Sequence, residues 1–212
     1  MKRILVIQTA FIGDVILATA LIESLHKFYP ESKIDFLVKK GNEQLLDSHP
    51  FLNKVLVWNK ENNKYKNLFK LIKEIRSYDY DYVVNLHRFF TSGFITLFSG
   101  GVKRNGYKKN PLSLFYTNRY EHKIGDGTHE VERNQLLISE DTSSDALKPK
   151  LYPSKTNYEK VNGLNLDKEY VVIAPSSVWY TKQIPKGKVI ELINKQSSDI
   201  QVCLIGAPSD YD

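Results

Sequence analysis

The sequence predicts an α/β fold. Short apolar runs of strand length alternate with stretches of helical periodicity, which calls for parallel strands joined through crossover helices. The rhythm stops at a polar, Pro- and Ser-containing stretch and then restarts, which calls for a second domain. Each element follows in order. Residues 3–8 (RILVIQ) read as a buried strand. Residues 14–28 carry Val15, Ile16, Leu17, Ala18, Leu21, Ile22, Leu25 and Phe28 over one wide helical face, and Pro30 ends that helix. Residues 34–38 (IDFLV) form a strand, 42–48 a short helix and 54–58 (KVLVW) a third strand. Residues 65–77 place Leu68, Leu71, Ile72 and Ile75 at helical spacing; 80–86 (YDYVVNL) form a fourth strand and 92–99 a helix.

Thr128 is the expected cap of a helix over 129–139, and residues 140–155 (EDTSSDALKPKLYPSK) read as a linker or domain boundary. Beyond it, 170–174 (YVVIA) is a strand, 186–196 a helix and 200–206 (IQVCLIG) a strand. The expected division is a Rossmann-like domain over 1–150 and the beginning of a second over 151–212. Two parallel strands do not cover their own faces, so the second domain reads as incomplete.

The 212 residues carry a net charge of +6, which favours anionic partners in general. A single cysteine, Cys203, excludes an internal disulfide framework and fits a reducing compartment. The N-terminal apolar run is broken by Gln8 and Thr9, too short for a signal peptide, and no stretch approaches the ~20 residues of a membrane span. The expected location is the cytoplasm.

Residues 9–14 (TAFIGD) follow the first strand, where open α/β sheets bind ligands. Gly13 permits close backbone approach, and the next helix points its N–H groups at the same spot. With one glycine, the loop lacks the G-x-G-x-x-G of a dinucleotide site. Asp14 reads either as a first-turn acid or as a catalytic carboxylate in an apolar loop.

Four segments, residues 4–38, 83–107, 129–137 and 174–185, together resemble glycosyltransferase family 9, the bacterial heptosyltransferase family. Residues 4–38 resemble its opening strand, I/M-G-D loop and helix; Gly13, Asp14, Val15 and Leu21 fit, and Ala20 stands where proline is common. Residues 83–107 resemble its R-x-G-Y/F passage, 129–137 (HEVERNQLL) its H-x-V-x-R-x-x-x-L helix, and 174–185 (APSSVWYTKQIP) the segment opening its donor domain. The resemblance implies a GT-B fold of two Rossmann-like domains, and inverting transfer of a heptose-like sugar from a nucleotide diphosphate such as ADP-heptose to a lipopolysaccharide core or other surface glycan, with no metal. It implies Asp14 as catalytic base and Ser176, Ser177 and Lys182 as donor contacts. The sequence departs from the family at Gln8, where Arg or Lys is usual, and at Gln183 and Ile184, which replace Arg-Trp. The family's later D-(S/T)-G-P-x-H segment has no counterpart within 212 residues.

The expected acceptor contacts are Thr9, Gly13, Arg88, Lys103 and Arg104. Arg88 follows the fourth strand. Lys103 and Arg104 open a basic, aromatic stretch over 102–123, which reads as a solvated loop, as a site for an anionic glycolipid or membrane surface, or, third, as a nucleic-acid surface without any accompanying motif. Nucleic acid is therefore not an expected partner; peripheral contact with the cytoplasmic face of the inner membrane is. His87 and His129 fall near loop ends with a cleft role open to them, and no Cys/His cluster points to zinc. Two other readings stand beside the glycosyltransferase: a non-catalytic acceptor-binding module of the same fold, and an unrelated Rossmann-type nucleotide enzyme.

Overall fold

A computed structural model describes residues 1–142, 145–166, 168–177, 179–207 and 210. The chain forms two compact units, Met1–Ser154 and Lys155–Asp212.

The first unit is built on a six-stranded sheet: β1 (Arg3–Ile7), β2 (Lys33–Lys39), β3 (Leu52–Trp58), β4 (Tyr82–Asn85), β5 (Lys103–Tyr107) and β6 (Asn118–Tyr120). The strand order is β3-β2-β1-β4-β5-β6, with every neighbouring pair parallel. Four α-helices accompany it: α1 (Ile12–Phe28), α2 (Lys64–Arg76), α3 (Phe90–Phe98) and α4 (Glu130–Leu136). The alternation of side chains along β1 divides the core. Ile4 and Val6 pack with Val15, Ala18 and Leu21 of α1 and with Leu137 and Ile138 just beyond α4. Leu5 and Ile7 pack on the other face with Leu68, Leu71, Ile72 and Ile75 of α2 and Ile95 of α3. Burial on both faces is why the central strands are continuous apolar runs, each fully buried Leu or Ile contributing roughly 1.5–3 kcal/mol.

A polar network closes the amino end of the sheet. Arg3 donates from Nε and Nη2 to Oδ2 of fully buried Asp35 (3.0 and 2.9 Å), which also accepts from Tyr80 Oη (2.6 Å), while Asn53 Nδ2 reaches Asp35 Oδ1 (2.6 Å). The carboxyl ends of the strands lie opposite this seal.

Several sequence expectations change. The short helix over 42–48 is a single 3-10 turn, Glu43–Leu45. The basic stretch contains β5 and β6, and two of its aromatics serve the core: Tyr107 is buried with its hydroxyl on Asn134 Oδ1 (2.8 Å), and buried Tyr116 accepts from Asn85 Nδ2 (2.9 Å). The helix expected over 129–139 covers Glu130–Leu136, and its cap is His129 rather than Thr128: His129 Nδ1 accepts from Val131 N (3.2 Å) while Glu132 accepts from His129 N (2.7 Å), a capping box with an imidazole in place of a hydroxyl. The segment expected as a linker or domain boundary contains the division between the two units, after Ser154, and is tied to α1 through Lys150 N to Thr19 Oγ1 (2.9 Å) and Tyr152 Oη to Glu23 (2.8 Å).

The second unit holds β7 (Tyr170–Ile173) and β8 (Gln201–Leu204), paired in parallel, with α5 (Lys155–Asn162) and α6 (Lys186–Asn194). Among the described residues no helix is long and apolar enough to cross a membrane.

Candidate functional site

In an open sheet of this order the topological switch lies between β1 and β4, whose onward connections leave in opposite directions, and ligands bind in the crevice beyond the carboxyl ends there. A cavity of about 470 Å³ occupies that place. Its floor is Gln8 and Thr9, both nearly fully buried, and Leu86. Asp14 stands on one side, in the first turn of α1; His87, Arg88 and Phe89 stand on the other, after β4; Lys39 and Lys60 enter from the ends of β2 and β3.

The loop before α1 is held by its own sheet. Gln8 N donates to Leu37 O (3.0 Å), and Asn42 Nδ2 donates to Ala10 O (3.1 Å). Asp14 is half-buried and lines the cavity; its Oδ2 accepts from Phe11 N at 3.2 Å, so it caps the helix and faces the opening at once. Among the described residues it makes no ion pair. Gly13 lies in the same helical turn without the left-handed backbone that would require glycine, and a methyl group there meets nothing within 4 Å. Neither packing nor a turn accounts for it.

The facing loop is clamped from outside. Asn110 Nδ2 donates to His87 O and Phe89 O (3.2 and 3.0 Å), Ser92 Oγ donates to His87 O (2.8 Å), and His87 N donates to Asn85 Oδ1 (2.9 Å). Asn110 fits against bare Gly93, where a Cβ would fall 2.1 Å from its Oδ1. His87 Nδ1 lies 2.9 Å from Thr9 Oγ1, a bond that spans the switch point, with the tautomer setting which atom donates. Burial, then the charges of Lys60 and Arg88, push the His87 imidazole down to about 4, so it is neutral near pH 7. Partial burial and the neighbouring Lys39 and Lys64 lower Lys60 as well.

Two acids meet three cations around the cavity. Glu130 is taken up by Arg133, which donates from Nε and Nη2 (3.0 and 2.9 Å). Lys39, Lys60 and Arg88 remain as an anion-attracting rim beside the Asp14 carboxylate.

The structure brings Thr9, Asp14 and Arg88 together at this cavity and keeps Gly13 in the adjoining turn. Lys103 and Arg104 are not brought there. They begin β5, at the amino end of the parallel sheet; Lys103 pairs with Asp141 (2.7 Å) and Arg104 Nη1 donates to Leu97 O (3.3 Å). Their basic character answers local acids and a carbonyl. Sequence reasoning missed Lys39 and Lys60, and left His87 without a partner; the signal for all three is position just past a strand's carboxyl end.

In the second unit Ser176, Ser177 and Lys182 share one loop between β7 and α6. Ser177 Oγ accepts from Trp179 N (3.2 Å), Gln183 Nε2 donates to Ser177 O (2.8 Å), and Ile184 N donates to Pro175 O (3.0 Å). Gln183, one of the departures noted above, thus closes the loop. Ser176 and Lys182 are exposed. Among the described residues no His, Cys, Asp and Glu side chains cluster as metal ligands.

Two Rossmann-like units in succession, the first with its crevice at the switch point, define the GT-B class of fold. Solved structures agree: a glycosyl transferase of family 9 from Veillonella parvula DSM 2008 superposes with a TM-score of 0.82 over 99% of this chain and 64% of that one at 20% identity. The ADP-heptose lps heptosyltransferase II of E. coli gives 0.80 over 100% and 66% at 23% identity. The sequence model of glycosyltransferase family 9 (heptosyltransferase) matches residues 68–212, and the chain belongs to that family. Among curated relatives, lipopolysaccharide heptosyltransferase 3 of Escherichia coli is 29% identical over 178 residues, 79% of this chain and 52% of that protein, so the chain spans about half its length.

Proposed function

We propose that the protein transfers a heptose-like sugar from a nucleotide diphosphate sugar, ADP-heptose by analogy with its relatives, to an anionic, lipid-borne acceptor of the lipopolysaccharide core type, working at the cytoplasmic face of the inner membrane. The first unit takes the acceptor and the second the donor. An acceptor hydroxyl attacks the anomeric carbon, a new C–O bond forms with inversion, and the bond to the diphosphate oxygen breaks. Asp14 takes the hydroxyl proton. Lys182, with Ser176 and Ser177, receives the negative charge of the departing diphosphate, and the route calls on no metal.

The observation that carries this reading is Asp14 itself: a carboxylate at the switch-point cavity, unpaired among the described residues and faced by Lys39, Lys60 and Arg88. The three cations suit an acceptor bearing phosphate or carboxylate groups. Neutral His87, fixed by Thr9, adds a hydrogen-bonding group that does not compete with Asp14 for charge. The test is Asp14→Asn, assayed with ADP-heptose and a lipid-linked core acceptor. Transfer should fall by about 10²–10⁴-fold with acceptor binding retained. Unchanged transfer removes Asp14 from the mechanism.

A further inference from the structure

Helix α3 has no charged residue, and Phe90, Phe94 and Phe98 recur along it at every fourth position. Their rings form one file, with centroids 6.2 Å apart for Phe90 and Phe94 and 4.5 Å for Phe94 and Phe98. Phe69 of α2 meets Phe94 edge-on at 6.4 Å, and Tyr65 lies one turn before Phe69 on the same side. Phe94 packs on the core and anchors the file, while Tyr65, Phe69, Phe90 and Phe98 are 71, 62, 56 and 41% exposed. Beside them α2 presents exposed Lys66, Lys70, Lys73 and Arg76, none in an ion pair among the described residues. The one acid of α2, Glu74, accepts from Tyr78 Oη (2.9 Å).

We propose that this face of α2 and α3 docks on an anionic lipid bilayer. The exposed rings suit insertion among headgroups, and the unpaired lysines beside them complement anionic phospholipid. Phe89, 64% exposed, carries the file to the rim of the cavity, next to Arg88. A lipid-borne acceptor would thus meet Asp14 from the membrane side. The inference extends the proposed reading, in which the acceptor is lipid-borne, by naming the surface that meets the bilayer; its test reads binding and needs no transfer.

The full chain is incubated with vesicles of phosphatidylcholine and phosphatidylglycerol, and separately with phosphatidylcholine alone, and co-sedimentation is measured at low and high salt. Binding should favour the anionic vesicles and weaken with salt. The triple variant Phe69→Ser/Phe90→Ser/Phe98→Ser and the charge variant Lys66→Glu/Lys70→Glu/Lys73→Glu should each lower partitioning by at least ~10-fold. Lys108→Glu/Lys109→Glu, in the turn after β5 where Lys108 is already paired with Glu121, should leave it unchanged. Circular dichroism melting confirms folding, and the charge variant decides alone if the serine variant does not fold. Absence of binding to anionic vesicles, binding that survives both α2–α3 variants, or loss caused by the Lys108/Lys109 change would overturn the proposal. So would light scattering showing that the exposed rings join two copies of the chain.

Discussion

The loop after β1 and the loop after β7 occupy equivalent places in the two units, and they are built differently. The first is sunk into its sheet: Gln8 and Thr9 are almost completely buried, and bonds from Gln8, Asn42 and His87 hold it from three sides. The second is held mainly by itself, through Ser177, Gln183 and the Pro175–Ile184 backbone bond, and it leaves Ser176, Trp179, Tyr180 and Lys182 in solvent. A general base must be placed to within a fraction of an ångström before the reaction, whereas a lysine that meets a diphosphate acts as a charge on a flexible stem. The rigid loop is where the proposed reading needs geometry, and the self-contained loop is where it needs only charge.

Four experiments break or sharpen that contrast. The largest effect is expected from Lys182→Ala, which should reduce transfer by about 10²–10³-fold and leave the melting temperature in place, since the side chain is exposed and the loop's internal bonds do not use it. A shift in melting would mean that the second loop is built like the first.

Acid should separate the units next. All five histidines precede residue 155, and burial lowers His49, His87 and His122. For His87, held at about 4 in the fold against ~6.5 unfolded, the unfolded chain binds more protons between those values. Stability is therefore intact above about pH 6.5, falls as pH drops toward 4, and changes no further below. The loss reaches about 3 kcal/mol at most from this group. Hydrogen exchange across that window should loosen Met1–Ser154; equal loosening of residues 155–207 would remove histidine as the cause.

Gly93→Ala drives a methyl group into Asn110 and should destabilise the first unit by about 1–3 kcal/mol in urea unfolding. A neutral result would show that Asn110 is not the clamp of the 87–89 loop. Gly13→Ala, by contrast, should change stability by less than about 0.5 kcal/mol and raise the KM for acceptor, because the added methyl group meets open space. An unchanged KM would place the acceptor elsewhere.

The fold was legible where chemistry and position agree. Strands buried on both faces read directly as apolar runs, as at residues 34–38 and 80–86, and α2 was visible in Leu68, Leu71, Ile72 and Ile75. Strands β5 and β6 were hidden because KRNGY and NRY carry polar and charged side chains, and their pairing follows from neighbours distant in sequence. That omission also misplaced Lys103 and Arg104: without a strand direction, the start of β5 cannot be told from its end. The position of Asp14 and Arg88 at the cavity was legible by the opposite route, since the strands before them were clear. His87 needed the bond to Thr9, made across 78 residues of chain, which no local pattern contains.

The clamp around residues 87–89 works through main-chain atoms, gripped by side chains at 85, 92 and 110. Those bonds use no side-chain atom of Arg88 or Phe89. Other side chains at these two places would present different chemistry to the cavity, which makes the pair a natural place to randomise when testing what the cavity binds.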